Sequence, residues 1–112
     1  METRIRVKTG TAAPEIGREA AEALGAAMRE ALGVDGSPEA EALVVLDEGE
    51  SADGAGPKSM RMRVDFASGG RLILEETEEG REGWTRLIGR MAIRLAKGLE
   101  RELDRRWERT AA

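Results

Sequence analysis

The sequence predicts an α+β fold: a four-stranded mixed sheet in the order β-α-β-β-β-α, with two helices packed on one face. Three observations predict it. Hydropathy alternates with period two in three segments and follows helical spacing in two others. The switches between periods fall at Pro14 and near Gly83. Between the helical segments lie a short continuous apolar run and a Gly-Gly turn.

Residues 3–8 alternate strictly, with Ile5 and Val7 on one face and Arg4, Arg6 and Lys8 on the other, as in a half-buried strand. Residues 10–13 read as a turn, and Pro14 suits the first turn of a helix, where its missing N–H is not needed. From 14 to 32 the apolar positions Ile16, Ala20, Ala23, Leu24, Ala27, Met28, Ala31 and Leu32 keep helical spacing. That face is mostly alanine, so the helix can sit close on a sheet. Gly17 and Gly25 lower its intrinsic propensity by up to ~1 kcal/mol each, so it depends on packing. Gly33 is the expected stop, and residues 34–41 a polar loop. The run Leu43, Val44, Val45, Leu46 reads as a central strand buried on both sides. Residues 48–57 are rich in Gly, Asp and Ser and read as a mobile loop over 48–58.

Residues 59–66 alternate again, Met60, Met62, Val64 and Phe66 inward and Arg61, Arg63 and Asp65 outward. Ser68-Gly69-Gly70 signals a hairpin, and residues 71–76 return as a strand with Leu72 and Leu74 inward. After an acidic stretch at 75–82, a long helix is expected over about 84–109, with Trp84, Leu87, Ile88, Met91, Ala92, Leu95, Leu99, Leu103 and Trp107 as its apolar stripe. Both helices must cover one face, because the other carries the strand cations. The two tryptophans are expected to be core anchors. Arg4, Arg6 and Lys8 are expected to neighbour Arg61 or Arg63, according to strand order.

At 112 residues the chain makes one α/β domain, residues 1–112. It has no Cys and no His, which removes thiolate chemistry, histidine triads and nearly all zinc and haem sites. There is no Tyr, and Phe66, Trp84 and Trp107 are the only aromatics, too few to stack bases along a surface. The acidic runs lack the register of a calcium loop, and no Gly-Lys-Ser/Thr follows Gly54 and Gly56 to make a phosphate loop. The expectations are no enzyme, no cofactor, no metal and no small-molecule substrate. No apolar run approaches the ~20 residues of a membrane span, and the first residues lack a signal-peptide core, so a cytoplasmic protein is expected.

Charge is unevenly placed. Net charge is −4, yet residues 84–109 hold eight cations against four acids, and residues 1–83 hold ten against eighteen. Six of the cations, Arg86, Arg90, Arg94, Lys97, Arg101 and Arg105, form one row at steps of three or four along the last helix. Like charges at that spacing repel by a few tenths of a kcal/mol per pair. Two readings stay open: the row meets an external anion, RNA phosphates foremost, or it is neutralised by acids of the 75–82 segment or the first helix. A second candidate group comprises Arg4, Arg6, Lys8, Arg61 and Arg63 on the outward sheet face, equally readable as charge protection of an edge strand.

The order and several stretches resemble the ribosome hibernation-promoting factor family, also called ribosome-associated inhibitor A. "VVLDEGE" is similar to the family's second strand and exit loop, "SMRMRVDFASGGRLILEE" to its third and fourth strands, and "LIGRMAIRLAKGLERELDRRWER" to its closing helix. "TRIRVKTG" fits more loosely, and the first helix, with four glutamates against Arg18 and Arg29, departs from the family's lysine-rich one. The resemblance implies a translation inhibitor that occupies the mRNA and tRNA channel of the small ribosomal subunit through cationic contacts to rRNA. It implies a short form, monomeric or weakly dimeric, without the additional C-terminal dimerisation domain. The alternative is a protein-interaction or assembly module using the long helix or an edge strand.

Overall fold

Six elements follow in sequence: β1 (Thr3–Lys8), α1 (Pro14–Leu32), β2 (Ala40–Glu48), β3 (Lys58–Phe66), β4 (Arg71–Glu78) and α2 (Gly83–Ala111). The structure is a computed structural model and describes residues 3–10, 12–32, 40–49, 56–67, 69–80 and 83–111. The sheet order is β1-β2-β3-β4. β1 runs parallel to β2 across the α1 crossover, and β2, β3 and β4 form an antiparallel meander. This is the expected α+β architecture.

Registration explains how the core closes. Ile5, Ala42, Val64 and Leu72 share one inward row, and Val7, Val44, Met62 and Leu74 the next. Onto these rows α1 brings Ala20, Leu24 and Met28, and α2 brings Trp84, Leu87, Ile88, Met91, Leu95 and Leu99, all buried. The small face of α1 lets it lie close to β1: a Cβ on Gly17 would meet Thr9 Cγ2, and one on Gly25 would lie 3.9 Å from Ile5 Cγ2. The β3–β4 hairpin turns through Gly69 at φ +102° and closes with Phe66 N–H donating to Gly70 O at 2.9 Å.

Four expectations need correction. β2 is interior, but it is not buried on both sides: Leu43 and Val45 are only half-buried on the uncovered outer face. A continuous apolar run reports a central position, and here the long cations of β1 and β3 flank it, Arg6 and Arg63 beside Leu43 and Lys8 and Arg61 beside Val45. For the same reason Arg4, Arg6 and Lys8 do not stand on a strand adjacent to Arg61 and Arg63, since β2 lies between, although Arg6 and Arg63 line one small cleft over Leu43. In addition, β4 runs to Glu78, so the start of the acidic segment is strand. The expected 48–58 loop has ordered ends: Glu48 and Lys58 are paired strand residues, and Gly49 N–H donates to Pro57 O at 2.7 Å. Residues 50–55 lie outside the described residues.

Candidate interaction surfaces

The cation row divides into two halves that do different things. Its first half lies against the free edge of β4. Arg86 Nη2 donates to Glu79 O at 3.3 Å, Arg90 Nη2 to Thr77 O at 2.6 Å, and Arg94 Nη1 to Glu75 O at 2.9 Å. These carbonyls are spaced by two, as the outward carbonyls of an edge strand must be. The same arginines pair with the inward glutamates of β4: Arg90 with Glu78 at 2.7 Å, Arg94 with Glu76 at 3.0 Å, and Arg86 with Glu78 at 3.7 Å. The acids of the 75–82 segment thus neutralise this half, and its guanidinium groups stand where an added strand would have to pair.

The second half is different. Lys97 and Arg101 have no ion pair among the described residues. With Arg71, Arg94 and Glu102 they line a shallow groove of about 230 Å³, floored by Leu72, Leu74 and Gly98. A Cβ on Gly98 would lie 2.7 Å from Leu72 Cδ2, so the bare glycine is what lets β4 and α2 meet there. Arg105 belongs to α2, but its side chain lies outside the described residues, as do those of Leu103 and Trp107.

On the outer sheet face Arg61 approaches Glu75 at 3.6 Å. Asp65 sits between Arg71 Nε at 2.6 Å and Arg63 Nε at 3.0 Å. The hydrogen bond from Arg71, followed by the charges of Arg71 and Arg63, holds the Asp65 carboxyl below the usual carboxylate range. Arg6 and Lys8 project from β1 on this face, exposed and without an ion pair among the described residues. Arg4 lies on the same strand, its side chain outside the described residues. Ile73 stands 61% exposed in the row of Arg6, Leu43 and Arg63.

The two sheet edges therefore differ. β4 is capped from Glu75 to Glu79. Among the described residues no group bonds to the outer edge of β1, where half of the backbone N–H and C=O pairs of a six-residue strand face away from β2.

One functional-looking residue escaped the sequence reading. Lys58 is 1% exposed. Its ammonium donates to Gly56 O at 3.1 Å and Gly80 O at 2.8 Å and pairs with Glu48 Oε1 at 3.2 Å. These contacts make the group a clamp tying the end of the β2–β3 hairpin to the turn before α2. Parity is the signal that would have found it: Lys58 is inward by the alternation of Met60 and Met62, and its registered neighbours Glu48 and Glu78 are inward on β2 and β4.

No family model matches the chain, and no curated protein matches it. Among solved structures, a protein of Caulobacter crescentus CB15 described as a lipoprotein is similar at 16% identity and a TM-score of 0.44, covering 83% of this chain and 89% of that one. The PelC dodecamer from Paraburkholderia phytofirmans is similar at 16% identity and a TM-score of 0.43, covering 88% and 83%. Neither is a hibernation factor. No helix among the described residues is long and apolar enough to cross a membrane.

Proposed function

We propose that this chain is a protein-interaction module that takes an extended segment of a partner onto the outer edge of β1. The observation that carries this reading is the difference between the edges: three arginines of α2 occupy the backbone carbonyls of Glu75, Thr77 and Glu79 along β4, and nothing comparable covers β1 among the described residues. Strand addition needs an unpaired row of N–H and C=O groups and a surface for alternate side chains. β1 supplies the row, with half-buried Ile5 and Val7 facing the core side. The test is selection of linear peptides on the immobilised chain, followed by amide hydrogen exchange of each complex. Protection concentrated in residues 3–8 is expected. Protection confined to β4 or α2, or no selected peptide, would sink the reading.

A second reading keeps one observation. Arg71, Arg94, Lys97 and Arg101 converge on one groove against the single carboxylate of Glu102, an arrangement suited to phosphates. In that reading the client is structured RNA, with the small ribosomal subunit as the case implied by the hibernation-factor resemblance. Co-sedimentation with ribosomal particles at two salt concentrations tests it: binding that falls steeply with salt and is lost in K97E/R101E is expected. Binding indifferent to both removes it.

A further inference from the structure

We infer that the segment received by β1 belongs to a different protein and carries two carboxylates, two residues apart, with apolar residues between and beside them. This rests on the edge-strand reading above and adds the chemistry of the partner.

The first step excludes a second copy. Antiparallel pairing of β1 with β1 would bring the outward cations Arg6 and Lys8 of each chain against those of the other, and like charges on adjacent strands repel. Pairing of β1 with β4 of another copy meets the arginines already bonded to Glu75 O, Thr77 O and Glu79 O. β2 and β3 are interior. Among the described residues no strand is both free and compatible.

The second step reads the partner from the rows of the outer face. Arg4 is registered with an acid, Glu41, on β2. Arg6 is registered with Leu43 and Lys8 with Val45, so neither has an acid directly opposite on the strand beside it, although Glu41 shares a small cleft with Arg6. Nor does either have an ion pair among the described residues. An added strand places its outward side chains about 5 Å from those of β1. Carboxylates at the positions beside Arg6 and Lys8 complete two rows that the chain itself leaves positive. The intervening residues point to the core side, beside Ile5 and Val7, and are therefore apolar.

The experiment is an NMR titration of the isotopically labelled chain with three extended peptides, alternating Val with Glu, Val with Thr, or Val with Lys. The Val/Glu peptide should shift the amides of residues 3–8. The Val/Thr peptide should bind at least tenfold more weakly, and the Val/Lys peptide not at all. R6E/K8E changes two exposed side chains and should invert the preference towards Val/Lys, and R6Q/K8Q should bring Val/Glu and Val/Thr to within about twofold. Equal binding of Val/Glu and Val/Thr, unchanged in both variants, would overturn the charge requirement and leave strand pairing standing. Shifts centred on Lys97 and Arg101 would place the carboxylates in the groove and overturn the inference. If none of the three peptides shifts β1, the edge reading falls and the inference with it.

Discussion

If the first half of the α2 row seals β4 and the second half does not, neutralising the two halves must have different consequences for folding. Arg90 donates to Thr77 O at 2.6 Å and pairs with Glu78 at 2.7 Å, with its side chain 46% exposed. An exposed ion pair contributes about 0.2–1 kcal/mol, and a charged hydrogen bond about 1.5–3 kcal/mol when buried, less at this exposure. A loss of about 1 kcal/mol for R90Q follows. Arg94 makes the same kind of pair of contacts, to Glu75 O and Glu76, but shares Glu76 with Arg90 at 3.9 Å, so the two losses are not fully independent. R90Q/R94Q should cost about 2 kcal/mol. With a urea slope near 1.3 kcal/mol/M, the midpoint falls by about 1.5 M. K97Q/R101Q removes no hydrogen bond or ion pair among the described residues and should stay within about 0.5 kcal/mol of the parent. Urea unfolding followed by circular dichroism reads both. Sedimentation velocity adds a second readout, because an uncapped β4 should make R90Q/R94Q self-associate with concentration. Equal losses in the two double variants would refute the division of the row, as would a stable and monomeric R90Q/R94Q.

Lys58→Met should lower stability by about 3 kcal/mol, because it strips Glu48 and two carbonyls of a buried partner; a urea midpoint unchanged from the parent would contradict the clamp. Gly10→Ala should lose about 2 kcal/mol, since the residue sits at φ +49° and its Cβ would lie 2.7 Å from Leu46 O and 2.6 Å from Asp47 Oδ1; thermal unfolding within a degree of the parent would show that the turn can relax. Asp65 should titrate below the usual carboxylate range by carbon-detected NMR, and R71Q, which removes the largest cause, should raise it. Because the folded value is depressed, the stabilisation from Asp65 is complete above the unfolded value near 3.9 and is lost as pH falls through the folded one; a titration that R71Q leaves unmoved would disprove the pairing.

The fold was legible because each element announces itself by period. Pro14 and the helical spacing after it bound α1, and the parity of Met60, Met62, Val64 and Phe66 sets the inward face of β3. Parity is plain where the residues are apolar and hidden where they are charged: Lys58, Glu48 and Glu78 obey the same alternation as their neighbours, but their charge gives them the pattern of a loop. The row on α2 was visible as spacing, but its partners were not. Which acids and carbonyls face Arg86, Arg90 and Arg94 depends on β4 being an edge strand beside α2, which is a matter of strand order rather than local pattern. Strand order also decided the fate of Arg6 and Lys8, which β2 separates from the cations of β3.

The residue types in the row fit this division. A guanidinium presents several donors in a fixed plane and can hold a backbone carbonyl and a carboxylate together, whereas an ammonium is a point charge on a flexible stem. Arg94 uses one nitrogen for Glu75 O and Glu76 Oε1 at 2.9 and 3.0 Å, and Arg90 splits its two between Thr77 O and Glu78. The single lysine of the row, Lys97, comes one turn after Arg94, where the carbonyl caps end and the groove begins, and Arg101 follows it. Capping an edge with side chains closes it without a further strand, and it leaves Glu76 and Glu78, the inward glutamates of β4, neutralised under the helix. With that edge closed and the outward cations of β1 opposing their own copies, self-pairing is blocked at both sides of the sheet by different means. β4 is closed by occupied carbonyls, and β1, among the described residues, only by charge and only to strands that are themselves positive. An edge closed in the second way is selective, and the selection is made by the side chains of Arg6 and Lys8 rather than by the backbone that would do the binding.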